Sequence, residues 1–390
     1  MSWPIQKVIP PADPKKIVRQ RWIRAITLVG VSFFIAFYFI NNFHPETKLY
    51  RLLTASFIGV VILLMIAWSL RCYKYGTDID YNHYYLDQAG KVEKHWKAWC
   101  NESLIVIDAK LITPPSVDKN VFIDNEDFMV RKENAALLNS ALSNTVSNQK
   151  IMQELLFSLR GRFQQIVALT DFDVCFVRAP DQASQADFIA CWKDMGFSVD
   201  LISAFHFIPV EYEEKIGCWL KGATNKTYIV IDVHLNDLPD GDRVETEYGA
   251  ALLLSNNLQL EKMNNKARLL RPQISQPLNL SLDVSDMLHY QSCMSDSKNI
   301  WCSNLSSEQL AELTITVNQQ YKVHEYEFIP PIRELNLFLG PIRRNSIWLN
   351  LAFALAAIDK QHESQLVACE TNGRIILNVL VPFSKVMEQA

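Results

Sequence analysis

The sequence lacks the short signatures that announce common chemistries. No GxSxG occurs, so a serine nucleophile on a strained strand-to-helix elbow has no place to sit. No GxxxxGK[ST] occurs, which removes the loop that cradles nucleotide phosphates, and no HExxH offers a helical zinc pair. The eight cysteines form no CxxC pair, so neither a redox pair nor a zinc ribbon is written into the chain. Charge of one sign is also missing as a block: 38 Lys and Arg stand against 42 Asp and Glu, for a net charge of −4. Beyond the first residues no basic footprint for nucleic acid exists, and none is expected to bind.

What is present, first, is two long apolar runs. Ala25 to Ile40 is uncharged over 16 residues, and Leu52 to Leu70 over 19, with only the polar link NNFHPETKLYR near their junction. At 1.5 Å per residue the second covers roughly 28 Å, the thickness of a hydrocarbon core. The first reaches that length only with Trp22 and Ile23 included and Arg24 reaching to the headgroups. The pair reads as a transmembrane hairpin. The first 24 residues carry Lys7, Lys15, Lys16, Arg19, Arg21 and Arg24 against Asp13 alone, whereas the link carries Lys48 and Arg51 against Glu46. Positive charge stays inside, so the N-terminus and everything after Leu70 are expected in the cytoplasm, with the bilayer as one partner. No small-residue cleavage site follows the first run, which argues against a secretory signal.

The expected organisation is therefore a basic arm over 1–22, a hairpin over 23–71, a juxtamembrane subdomain over 72–150 and an α/β body over 151–390. The cysteines at 72, 100, 175, 191, 218, 293, 302 and 369 are scattered, several of them inside apolar runs such as FDVCFVRA; they read as reduced, small core residues. In the body, strand-like and helix-like patterns alternate. A broken helix covers Glu133 to Arg162, SQADFIACWKDMGF is an amphipathic helix ending at Gly196, and KTYIVIDVHLND and YGAALLLSN are buried strands. SSEQLAEL reads as a helix, with LTITVNQQYKVH as a strand after it. An apolar helix, SIWLNLAFALAAID, then leads into two strands hinged on Asn372 and Gly373. Alternation of this kind means an α/β fold.

Few residues gather into candidate sites. Asp232, His234, Asp237, Asp240 and Asp242 lie at the end of a strand, where α/β sheets place their ligands, yet LNDLPDGD has the composition of a solvated turn and is read as one. His324, Glu325 and Glu327 alternate as on an exposed strand. Arg343 and Arg344 beside Asn345 open the apolar helix and could hold an anion there, although a solvated approach is the simpler reading. His289, Cys293 and Cys302 are too dispersed to read as a metal site. The sequence thus offers no catalytic, cofactor-binding or metal-ligating residue, and no cofactor is expected.

Two resemblances add to this. The segment DGDRVETEYGAALLLSNN, with LGPIRRNSIWLNLAFALAAID and the closing strand pair ending in RIILNVLVP, resembles the later part of the ketosynthase branch of the thiolase fold. That resemblance implies a nucleophilic cysteine in a small-residue elbow and two histidines. Here Cys175 lies between Val174 and Phe176, and Gly340, Pro341, Ile342 and Arg343 bring no histidine, so the implied enzyme would be inactive. In its overall plan, an N-terminal membrane anchor and a large α/β body without an intact active site, the chain looks like the lipase adapters of bacterial type VI secretion. That likeness implies a non-catalytic inner-membrane protein that binds an effector lipase or a component of the secretion spike. The alternative is a membrane-associated acyl-transfer enzyme working through Cys175, Cys218 or Cys369.

Overall fold

The computed structural model describes residues 3–9, 11–43, 47–124, 130–131, 134–138, 147–177, 182–208, 212–222, 226–236, 245–344 and 346–384. The chain packs as two units, Ile5–Trp96 and, separately, Met1–Pro4 with Lys97–Ala390. In the first, helix α1 (Arg19–Phe43) and helix α2 (Thr47–Cys100) carry the two apolar runs. Both are long and apolar enough to cross a membrane, and neither apolar stretch is buried by protein. Leu28, Phe34, Leu63 and Leu70 are each at least 63% exposed, a display of apolar surface that water penalises and lipid does not. Thr27 and Ser32 donate their hydroxyls to the carbonyls of Ile23 and Leu28, so these polar groups are satisfied within the helix.

The shorter run is not short as a helix. It is carried in 25 residues, about 38 Å, because the helix begins at Arg19. The larger departure is α2. It runs on for 54 residues, about 81 Å, through the stretch expected to open a juxtamembrane subdomain. No proline occurs between Pro45 and Pro114, and isolated Gly76 and Gly90 each cost only about 1 kcal/mol, so nothing ends the helix before Asn101. The division between the two compact units falls at Trp96 and Lys97.

The second unit is an α/β structure. Its first half holds β1 (Ser103–Ile112), α3 (Lys119–Asp124), α4 (Asn148–Ile166), β2 (Asp171–Phe176), α5 (Gln182–Asp194), β3 (Ile202–Phe207), α6 (Tyr212–Lys221), β4 (Lys226–His234) and β5 (Tyr248–Ser255). The second half holds β6 (Ala267–Leu270), β7 (Gln273–Ser275), α7 (Leu280–Tyr290), β8 (Ser297–Ser303), α8 (Ser307–Val323), β9 (Ile332–Glu334), α9 (Leu335–Leu339), α10 (Ile347–Gln361), β10 (Ser364–Thr371) and β11 (Arg374–Pro382). One sheet runs β3-β2-β4-β5-β1-β6-β11-β10-β8-β9, with β7 beside β11.

Read outward from the β1–β6 junction, the two halves repeat. β2 is parallel to β3 and β4, β4 is antiparallel to β5, and β5 to β1. Likewise β8 is parallel to β9 and β10, β10 is antiparallel to β11, and β11 to β6. The body is a topological duplication joined by the antiparallel edge pairing of β1 with β6.

Strand alternation divides the core. Ile105, Val174, Ile229 and Leu253 face one side, onto α4 and α5. Their neighbours Val106, Cys175, Val230 and Leu252 face the other, where α6 and α10 lie. Every residue of α10 from Ile347 to Leu355 is buried, because the helix packs on β1 and β5 of the first half and on β8, β10 and β11 of the second. Tyr212 and Trp219 of α6 meet Trp348 of α10 at 5.0 and 6.2 Å between ring centres. The apolar helix and the closing hairpin are thus where the sequence puts them, and Asn372 and Gly373 turn with φ of 53° and 75°.

Two expectations are corrected here. LTITVNQQYKVH is not a strand: α8 continues unbroken from Ser307 to Val323, launched by a capping box between Ser306 and Gln309. Leu313, Val317 and Tyr321 fall at four-residue spacing and are buried, and this stripe outweighs the β-branched propensity of Thr314 to Val317. His324, Glu325 and Glu327 consequently follow a helix instead of alternating on a strand. His324 is the residue at its C-terminal cap, and Glu325 takes a left-handed φ of 60°.

Candidate functional site

A cavity of about 820 Å³ opens at the carboxyl ends of β8 and β10, with Glu245 of the first half at its wall. Glu245, just before β5, contributes from the first half. Asn304, Ser306 and Gln309 follow β8, Asn336 comes from α9, Arg344 precedes α10, and Glu370 and Asn372 close β10. Strand carboxyl ends are where α/β sheets leave a crevice, because chain turning to helices on opposite sides cannot fill it.

Its walls are held by backbone crossing between halves. Thr246 donates its N–H to Pro341 O at 2.7 Å and its hydroxyl to Leu339 O at 2.6 Å, fixing Glu245 against the loop that leads into α10. Gly340 sits at φ 88°, where a Cβ would press into the Asn134 carbonyl oxygen and lie 2.9 Å from Arg131 O. Asn304, at φ 59°, ties three segments together. Its backbone N–H donates to Asn336 Oδ1 at 2.8 Å, and its side-chain amide donates to Arg343 O at 2.8 Å and Ser346 Oγ at 3.1 Å.

Beneath the cavity is a buried polar cluster. Ser303 and Ser346 share a hydroxyl hydrogen bond of 2.9 Å, Ser303 donates to Cys369 Sγ at 3.3 Å, and Asn350 Nδ2 donates to Ser303 Oγ at 2.7 Å. All four side chains are fully buried. Burial pushes the Cys369 thiol up to about 11, so it stays protonated and unreactive near neutrality. Cys175, on the same face of the sheet, is pushed up to about 12 for the same reason. Cys218 is the exposed thiol, on α6.

The residues singled out in sequence fare differently. Asp232 and His234 are buried at the end of β4: Tyr248 donates its hydroxyl to Asp232 at 3.1 Å, and His234 Nε2 lies 3.1 Å from the Glu245 carboxylate. Through Glu245 they adjoin the cavity wall. Asp237, Asp240 and Asp242 lie outside the described residues, as does Asn345. Arg344 is exposed at the cavity. At the start of α10 Ser346 is turned into the buried cluster and makes no side-chain capping bond. At α8 the capping box likewise closes the helix start on itself. Among the described residues no group of three or more His, Cys, Asp or Glu could hold a metal, so His289, Cys293 and Cys302 do not converge on one.

Sequence reading missed Ser303, Asn304, Asn336 and Asn350. One signal was legible: Asn350 interrupts an otherwise apolar helix, and a buried amide inside such a helix needs partners.

No protein-family model and no curated protein matches the sequence. Among solved structures, a type II polyketide ketosynthase in complex with its acyl-carrier protein is 8% identical, covering 72% of this chain and 99% of that chain, with a TM-score of 0.48. The peroxisomal 3-ketoacyl-CoA thiolase of Saccharomyces cerevisiae, described as two core domains of identical topology, is 10% identical over 72% and 98%, at 0.45. The 3-oxoacyl-[acyl-carrier-protein] synthase III of Aquifex aeolicus is 11% identical over 71% and 99%, also at 0.45. These are likenesses of chain path, and no residue role follows from them. The class defined by the present structure is a duplicated α/β body with a polar cavity between its halves, in a chain that also carries two membrane-length helices.

Proposed function

We propose that this chain is a membrane-anchored, non-catalytic adapter that holds a protein partner at the cytoplasmic face of a bacterial inner membrane. The observation that carries the reading is the composition of the strand-end cavity. Beside the apolar Leu305, Pro341 and Ile342 its lining holds two carboxylates and an exposed arginine, while the Ser303 and Ser346 hydroxyls and the Cys369 thiol beneath it are buried and bonded to one another. The exposed guanidinium of Arg344 at this wall offers charge-assisted hydrogen bonds to the peptide C=O groups and acidic side chains of a partner, and Glu245 and Glu370 add charge selection. The overall plan resembles the lipase adapters of type VI secretion, so the partner is an effector lipase awaiting delivery to the secretion spike.

Affinity recovery from detergent extracts of the full chain tests this. A stoichiometric protein partner is expected with the natural sequence, and Arg344→Glu is expected to lower its recovery at least tenfold while the thermal transition stays in place. Recovery of no stoichiometric partner, or equal recovery with Arg344→Glu, overturns the reading. The competing acyl-transfer role would instead leave an acyl label on Cys175, Cys218 or Cys369 that disappears when that cysteine becomes alanine; no such label is expected.

A further inference from the structure

We propose that the groove between α1 and α2, at the arm side of the hairpin, is a binding site for one anionic phospholipid. An acyl chain lies between the helices and the headgroup phosphate lies against Arg19. The inference rests on the reading of the hairpin as membrane-spanning.

The groove has a volume of about 580 Å³, within the range of sites that enclose a ligand. Its long walls are Trp22, Ile23 and Ile26 on α1 and Val61, Leu64 and Met65 on α2; the polar members, Arg19 and Ser69, stand at one end. That is the polarity of a lipid: a charged group at the mouth and hydrocarbon beyond. From Arg19 to Ile26 the helix rises about 10 Å, some two-thirds of one leaflet of a hydrocarbon core about 30 Å thick. A chain entering beside Arg19 would therefore lie along the helices and within its own leaflet. Trp22 and Trp68 meet edge to face, ring centres 5.1 Å apart, placing two indoles at the depth where headgroup and hydrocarbon exchange.

Charge selects the kind of lipid. Arg19 belongs to a segment with six basic residues and one acid in its first 24 positions, which favours an anionic headgroup over a zwitterionic one. A free phosphate would satisfy Arg19 and leave the apolar walls unfilled, so the lipid, and not the ion, is the occupant.

The test uses the full chain reconstituted in vesicles of phosphatidylcholine with a minor share of phosphatidylglycerol, followed by mild delipidation and native mass spectrometry. One retained phosphatidylglycerol per chain is expected. Arg19→Gln should reduce its retention about fivefold, the worth of one basic group at an anionic surface. Arg21→Gln removes the same charge outside the groove and should lower retention clearly less than Arg19→Gln, while Leu64→Trp fills the groove and should displace the lipid with every charge in place. Glycerol phosphate in solution should not compete. Equal retention of the two lipids, an equal effect of Arg19→Gln and Arg21→Gln, or competition by glycerol phosphate overturns the proposal. Alkaline carbonate extraction of the same vesicles separates the two claims. A chain that stays in the bilayer but keeps no phosphatidylglycerol sinks the lipid site alone, and a chain released by carbonate sinks the spanning reading together with the site.

Discussion

Gly340 and Gly373 both hold positive φ, at 88° and 75°, yet their surroundings differ. Around Gly373 a Cβ would meet open space, whereas at Gly340 it would meet two backbone carbonyls. Gly373→Ala is therefore expected to cost only the left-handed strain, about 1–2 kcal/mol, and Gly340→Ala clearly more, because carbonyls of neighbouring backbone cannot step aside. Denaturant unfolding of the two variants checks the order. Asp283 gives a second expectation at this scale. Burial raises its carboxyl above the ordinary aspartate value of 3.8, although Gln273 donates to it at 2.7 Å. An acid whose pKa is raised by folding holds its proton more firmly folded than unfolded. Its contribution is favourable in acid and is withdrawn as pH climbs from 3.8 through the raised value. Asp283→Asn is spared that loss, so its stability relative to the natural chain should grow across that window and then level off; unfolding measured as a function of pH would show the opposite trend if the carboxylate stabilised the fold.

At the scale of elements, the informative cases are the two helices that run further than local pattern suggests. α8 is set by its cap at one end and by a buried stripe along its length, and local β propensity does not interrupt it. α2 continues because nothing breaks it. If it is one helix well beyond its apolar stretch, spin labels on the exposed Lys74 and Lys94 should lie about 30 Å apart, twenty residues at 1.5 Å each, with a narrow distribution. A helix, turn and strand in the same stretch would give a shorter and broader one. The polar link between the apolar runs and the arm's tie to α2, through Arg71 to Lys15 O and Asn82 to Asp13, belong to the same unit.

At the scale of the whole molecule, duplication is what makes a site. Neither half alone encloses the cavity: Glu245 and its His234 neighbour come from one, and Asn304, Arg344 and Glu370 from the other. On the proposed reading, the charge asymmetry about the hairpin puts the body in the cytoplasm. Protease added to the periplasmic side of cells stripped of their outer membrane should accordingly leave residues 97–390 intact, and their digestion would reverse the orientation and remove the proposed role.

Much of this was written locally. Uncharged runs of membrane length, β-branched strands, a helix apolar all round and an Asn-Gly turn are properties of neighbouring residues, and each element follows from them. The cavity could not be read that way. Ser303, Asn304, Asn336, Ser346 and Cys369 are spread over nearly 70 positions, and only the pairing of β8 with β10 and the burial of α10 bring them together. The duplication was hidden as well, because it is a repetition of strand order and direction, held by hydrogen bonds between backbones that carry no trace in side-chain identity.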